Sequence, residues 1–164
     1  MRKPLYSVLI LALTSTWFGW TVLVDFFIVP TVFTEIDDFF KAGALGISVF
    51  SKLNNLELIA ASFIMGLAVM NFDLKRSSIL SLATAILLGI TSLFMFSFLT
   101  PKIIYLTELW KTADMMGLVG LSGIADLQQE HQFYHRIYIG VDTLKMLLLI
   151  YLGGSEILRL NKNL

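Results

Sequence analysis

Four long apolar runs, at about 5–29, 53–70, 79–99 and 133–158, alternate with shorter stretches in which most of the charge is concentrated. Each run has roughly the 20 residues that a helix needs to cross a hydrocarbon core of about 30 Å. Extended strands would leave backbone N–H and C=O groups unpaired in lipid, so helix is the expected form. The pattern predicts an all-α, polytopic membrane four-helix bundle forming a single domain over 1–164. Two longer connections, 30–52 and 100–132, fall on one side, and the short turn NFDLKRSS falls on the other. The first run follows a basic start, as a signal peptide would, but continues past Trp20 to Val29 with no small-x-small cleavage pattern, which favours a retained helix.

The connections have some pattern of their own. In 30–52, the stretch FFKAGALGISVF is apolar but too short to span, which suits an interfacial cap, and Pro30 reads as a helix end or kink. In 100–132, KIIYLTELWKTADMM has the spacing of a surface helix anchored by Trp110. MGLVGLSGIADLQQEH reads as a flexible turn, with Asp126 to Glu130 able to begin the last helix early. Runs one and three end alike, in DFFIVP and FSFLTP; aligned on Pro30 and Pro101, they suggest two parallel helical hairpins.

Composition supports the membrane reading: 57% of residues are hydrophobic, 15% are charged, and the mean hydropathy is +0.79. The 12 basic and 12 acidic residues cancel, so nothing points to a nucleic-acid partner. The absence of cysteine excludes disulfides, thiolate metal sites and cysteine nucleophiles. Arg2, Lys3, Lys75, Arg76, Arg159 and Lys162 gather at one end, so both termini are expected to be cytoplasmic, in a bacterial inner membrane or its equivalent.

Candidate chemistry is concentrated in His131–Lys145, HQFYHRIYIGVDTLK, at the head of the last apolar run. At 100° per residue, His131, His135 and Asp142 share a narrow arc with Lys145 beside it. Asp25 and Glu57 are acids in neighbouring apolar runs at similar outer depth. Ionisable groups in a membrane segment are costly and usually face protein or water, so these six, with Arg136, form the expected polar cluster. Three uses are open. His131 and His135, four apart, could ligate a divalent metal with the acids; haem is less well served, lacking a second deep histidine. His135 and Arg136 could cap the bundle by binding Asp25 or Glu57. Asp142 and Lys145, three apart, could form an intrahelical ion pair or, with His135, an ion or proton relay. There is no glycine-rich phosphate loop, H-E-x-x-H or plausible serine–histidine–acid grouping, so no enzyme activity is expected.

Small residues mark helix-packing positions: Ser62 and Gly66 on the second run, and Ser81, Ala85 and Gly89 on the third. Taken with these, Trp17, Phe18 and Gly19, the helix end Val29 to Phe33, the helix end Thr100 to Ile103, and FYHRIYIGVDTLKMLLL carry a family likeness. The chain resembles the transmembrane-protein-205-like group (domain of unknown function 4149) over most of its length. The resemblance implies a four-helix membrane fold and no particular reaction. Asp142 and Lys145 depart from that pattern, where an amide residue is more usual. The expected role is an accessory or scaffold subunit of a larger membrane assembly or homo-oligomer in a lipid bilayer. The alternative is a metal-binding or proton- or ion-conducting protein that uses the polar cluster.

Overall fold

A computed structural model describes residues 2–117 and 122–162. Helix α1 (Arg2–Leu23) passes through a π-helical segment (Val24–Ile28) into α2 (Val29–Glu35), making one rod. After a break at 36–38, α3 (Phe39–Met70) returns to the starting end. Helix α4 (Arg76–Phe94) passes through a second π-helical segment (Met95–Leu99) into α5 (Thr100–Met115), and α6 (Ser122–Asn161) comes back. Helix α1 packs on α3 and α6, and α4 packs on the same two, giving a four-cornered antiparallel bundle. All four rods are long and apolar enough to cross a membrane, which makes this a multi-pass membrane protein of all-α architecture.

The apolar stretches of the rods run to 32–39 residues, about 48 Å or more at 1.5 Å per residue, and so outreach a ~30 Å core. The expected connections are therefore largely helical, and three boundaries need correction. The segment 30–52 is not a loop: α2 covers its start and α3 begins at Phe39. FFKAGALGISVF is simply the first third of a helix that nothing interrupts before Met70. Its start is set by Asp38, whose carboxylate accepts from the backbone N–H groups of Phe40 (3.0 Å) and Lys41 (3.1 Å). Those bonds, that of Lys41 foremost, hold the Asp38 carboxyl below its ordinary value of 3.8. At the far side, α5 continues α4 without a break and stops at Gly117, whose φ of 68° suits a glycine just past a helix end. Helix α6 is already formed at Ser122, well before 133. Part of the turn expected in MGLVGLSGIADLQQEH, residues 118–121, lies outside the described residues.

Pro30 does not end its helix either. A proline lacks the N–H and presses on the carbonyl four residues back, here Phe26 for Pro30 and Ser97 for Pro101. Both carbonyls lie inside the π segments. There the ladder is re-paired five residues back: Val29 N–H bonds to Val24 O, and Thr100 N–H bonds to Met95 O. A wider turn absorbs each proline and lets the rod continue. The two runs that align in sequence thus carry the same local distortion at the same offset from proline.

At the end where the termini and the 71–75 turn lie, large apolar side chains fill the core. Trp17, Ile10, Ile64, Leu88, Leu149 and Leu152 are fully or almost fully buried there, with Ala60, Ala61 and Ala85 letting the backbones approach. Of the small-residue positions, Ser81 and Ala85 pack inside the bundle, whereas Ser62 and Gly66 face outward. Ala85→Leu is expected to overpack the α3–α4 contact and lower stability by roughly 1–3 kcal/mol. Gly89→Ala should be neutral or mildly stabilising, since a Cβ at Gly89 meets nothing within 4 Å. Thermal unfolding of both variants in mild detergent checks the pair; equal behaviour would place Ala85 outside the core.

Candidate functional site

Lys145 lies at mid-length on α6 and is fully buried, so its ammonium can survive only with close anionic partners. It has two. Its Nζ donates to Glu57 Oε1 of α3 at 2.5 Å and to Asp142 Oδ1 one turn earlier on α6. Glu57 Oε1 also accepts from the Thr21 hydroxyl of α1 at 3.3 Å. One turn beyond Thr21, Asp25 lines the same cavity as Asp142. A second layer lies one turn from Glu57: Asn54 donates to the Thr100 hydroxyl at 2.6 Å and accepts from the Tyr138 hydroxyl at 3.3 Å. All four rods therefore contribute polar side chains to these two adjacent layers.

The π segments help place them. Asp25 lies within the first, and Thr100 immediately follows the second. Each widened turn thus lies beside a polar side chain that a run of strictly apolar packing would not require.

Above this network lies a cavity of about 660 Å³. Asp25, Asp142, Thr100 and Tyr138 supply its polar part, and Phe33, Phe39, Phe40, Phe50, Ile47, Ile103 and Trp110 much of its apolar wall. The aromatic residues also contact one another: Phe39 and Phe40 each lie 5.5 Å from the Trp110 ring, and Phe50 meets Tyr138 edge-on at 5.3 Å. His131 and His135 line the same cavity. Their rings stack at 6.3 Å with 8° between planes, and His131 is fixed by a 3.1 Å hydrogen bond to Thr107 and by Trp110 at 5.7 Å.

The expected polar cluster therefore divides. Asp25, Glu57, Asp142 and Lys145 come together; His131 and His135 stand on the cavity wall, with His135 about 10 Å along α6 from Asp142. Arg136 is exposed and belongs to neither group. The cap in which His135 and Arg136 bind Asp25 or Glu57 does not form: Glu57 is held by Lys145, and both His135 and Arg136 are exposed rather than turned to the acids. For a metal centre the arrangement is also wrong. The acids converge on an ammonium, and among the described residues no group of three or more His, Asp or Glu side chains is placed to hold a metal ion.

Several members were not singled out from sequence. Thr21, Asn54, Thr100 and Tyr138 were missed, although Thr21–Asp25, Asn54–Glu57 and Tyr138–Asp142–Lys145 each keep three- or four-residue spacing. Glu156 was missed as well: it is fully buried near the other end, paired with Arg159 at 3.2 Å, while Ser81 and Ser155 meet at 3.2 Å beside it. No protein-family model, curated protein or solved structure matches the chain.

Removing the ammonium tests the network. Lys145→Met leaves buried carboxyls without their cation and should destabilise by roughly 3–5 kcal/mol. Adding Glu57→Gln and Asp142→Asn to that variant should recover most of the loss. Unfolding midpoints in detergent read both; a Lys145→Met protein as stable as the wild type would remove Lys145 from its central place.

Proposed function

We propose that this membrane protein binds a small, largely apolar molecule in the cavity at the α2–α3–α5 end of the bundle. The observation that carries this reading is the cavity itself: about 660 Å³, walled by aromatic and aliphatic side chains, with a few convergent polar groups at its base. That volume and that mixture are typical of small-molecule sites. A through-going ion or proton path is less well served. Below Lys145 the bundle closes on Leu149 and Leu152, both almost fully buried, and Glu156 lies about 16 Å further along α6. The cavity is thus not continued through the apolar packing below Lys145. Lys145, Glu57 and Asp142 pair with one another within a single chain, so these charges do not by themselves call for a partner helix.

Filling the cavity tests the reading. Gly43 lines it, and a Cβ there meets nothing within 4 Å, so Gly43→Phe is expected to take up part of the space. A neutral solvatochromic naphthalene dye should bind the wild type in nanodiscs, and Gly43→Phe should weaken it about tenfold, or about 1.4 kcal/mol. Equal titrations for the two proteins would count against the cavity.

We further propose that both termini lie on the cytoplasmic side and the cavity faces the other, a reading supported by the basic residues Lys75, Arg76 and Arg159 at the termini end. The chain has no cysteine, so single replacements report cleanly. Lys41 and Lys75 are both highly exposed, at opposite ends. In intact cells, a membrane-impermeant maleimide should label Lys41→Cys and spare Lys75→Cys; the opposite pattern would invert the protein.

A further inference from the structure

We propose that the cavity's ligand is a lipophilic organic cation, a compact aromatic or aliphatic body carrying one positive charge, with Asp25 as its anchor. This rests on the binding reading above and adds the chemical class. Asp25, Glu57 and Asp142 surround one ammonium, that of Lys145. Three carboxyl groups thus gather around a single cation. Uncompensated charge in a buried site is costly, so the site is complementary to one further positive charge. Lys145 cannot supply more, since it is fully buried behind Asp142 and already engaged by two carboxylates. Arg136 is exposed and does not line the cavity.

The position of the deficit points the same way. Glu57 is sealed in the bundle, whereas Asp25 and Asp142 line the cavity. Of those two, Asp142 is the one bonded to Lys145, which leaves Asp25 as the carboxyl with no cation of its own at the cavity floor. Size and walls exclude a bare inorganic ion as the natural occupant. A cavity of about 660 Å³ lined by Phe33, Phe50, Trp110 and their neighbours would remain mostly empty around one. Aromatic faces attract a weakly hydrated cation through their ring quadrupoles, while the same surfaces bury an apolar body. An anionic amphiphile would meet like charge at the floor and is disfavoured.

Two molecules of nearly equal shape separate charge from fit: methyltriphenylphosphonium, a cation, and triphenylphosphine oxide, its neutral counterpart. Binding is measured by equilibrium dialysis with full-length protein in nanodiscs, and the cavity-filled Gly43→Phe protein corrects for partition into lipid. The wild type should bind the cation at least about tenfold more tightly than the neutral molecule. In Asp25→Asn the cation should fall to the level of the neutral molecule, while binding of the neutral molecule stays unchanged and shows the cavity to be intact. Equal affinities in the wild type, or a cation preference that survives in Asp25→Asn, would overturn the assignment of class and leave the binding reading standing. Binding of neither molecule would overturn both.

Discussion

An ammonium in the middle of an apolar bundle has to be matched where it stands. Lys145 cannot reach water from mid-helix, and a lone charge there would cost more than a small membrane protein can sustain. Glu57 must therefore lie opposite it on α3 and Asp142 one turn away on α6. This requirement fixes the relative rotation and depth of the two returning helices. Thr21 extends it to α1, and the Asn54–Thr100–Tyr138 layer extends it to the start of α5. Nonpolar packing between helices in lipid is weakly directional, because lipid tails are as apolar as leucine. The ion-paired network supplies the register that such packing leaves loose.

The polar groups also divide the bundle along its length. On one side of Lys145, Leu149, Leu152, Ile64 and Trp17 form one buried apolar cluster with Ala60, Ala61 and Ala85. On the other, the rods part around a cavity whose walls are almost all ring and branched side chains. A rigid, closed half can hold an open half in shape, because the network at the junction ties all four rods together. The apolar body and polar base of the cavity follow directly from its place at this junction.

The sequence made the four spans legible, since each is a long uncharged run, and it drew attention to Asp25, Glu57, Asp142 and Lys145 because charge in such runs is rare. It hid the helix ends. FFKAGALGISVF looked like an interfacial fragment because Lys52, Asn54, Asn55 and Glu57 follow it, yet those polar residues sit on a helix that continues straight through them. Helical periodicity gives direction around one axis but not which neighbour faces it. That is why His135 and Arg136 were grouped with acids that they do not meet. Thr100 was obscured for another reason: beside a proline it reads as a helix end, and only the π segment before it allows the helix to go on. Glu156 was hidden by its place near the chain's polar tail, where an acid is expected to reach water.

Each π segment can also be viewed as a single spare residue threaded into an otherwise 3.6-residue turn. Excising that residue would rewind the ladder and swing everything beyond it by about 100° around the rod axis. In the first rod, Val29 and Phe33 would leave the cavity wall; in the third, Ile103, Thr107 and Trp110 would do so. The phase of two opposite walls thus depends on two one-residue insertions. A change in chain length, with no change in side-chain chemistry, would suffice to close or redraw the chamber.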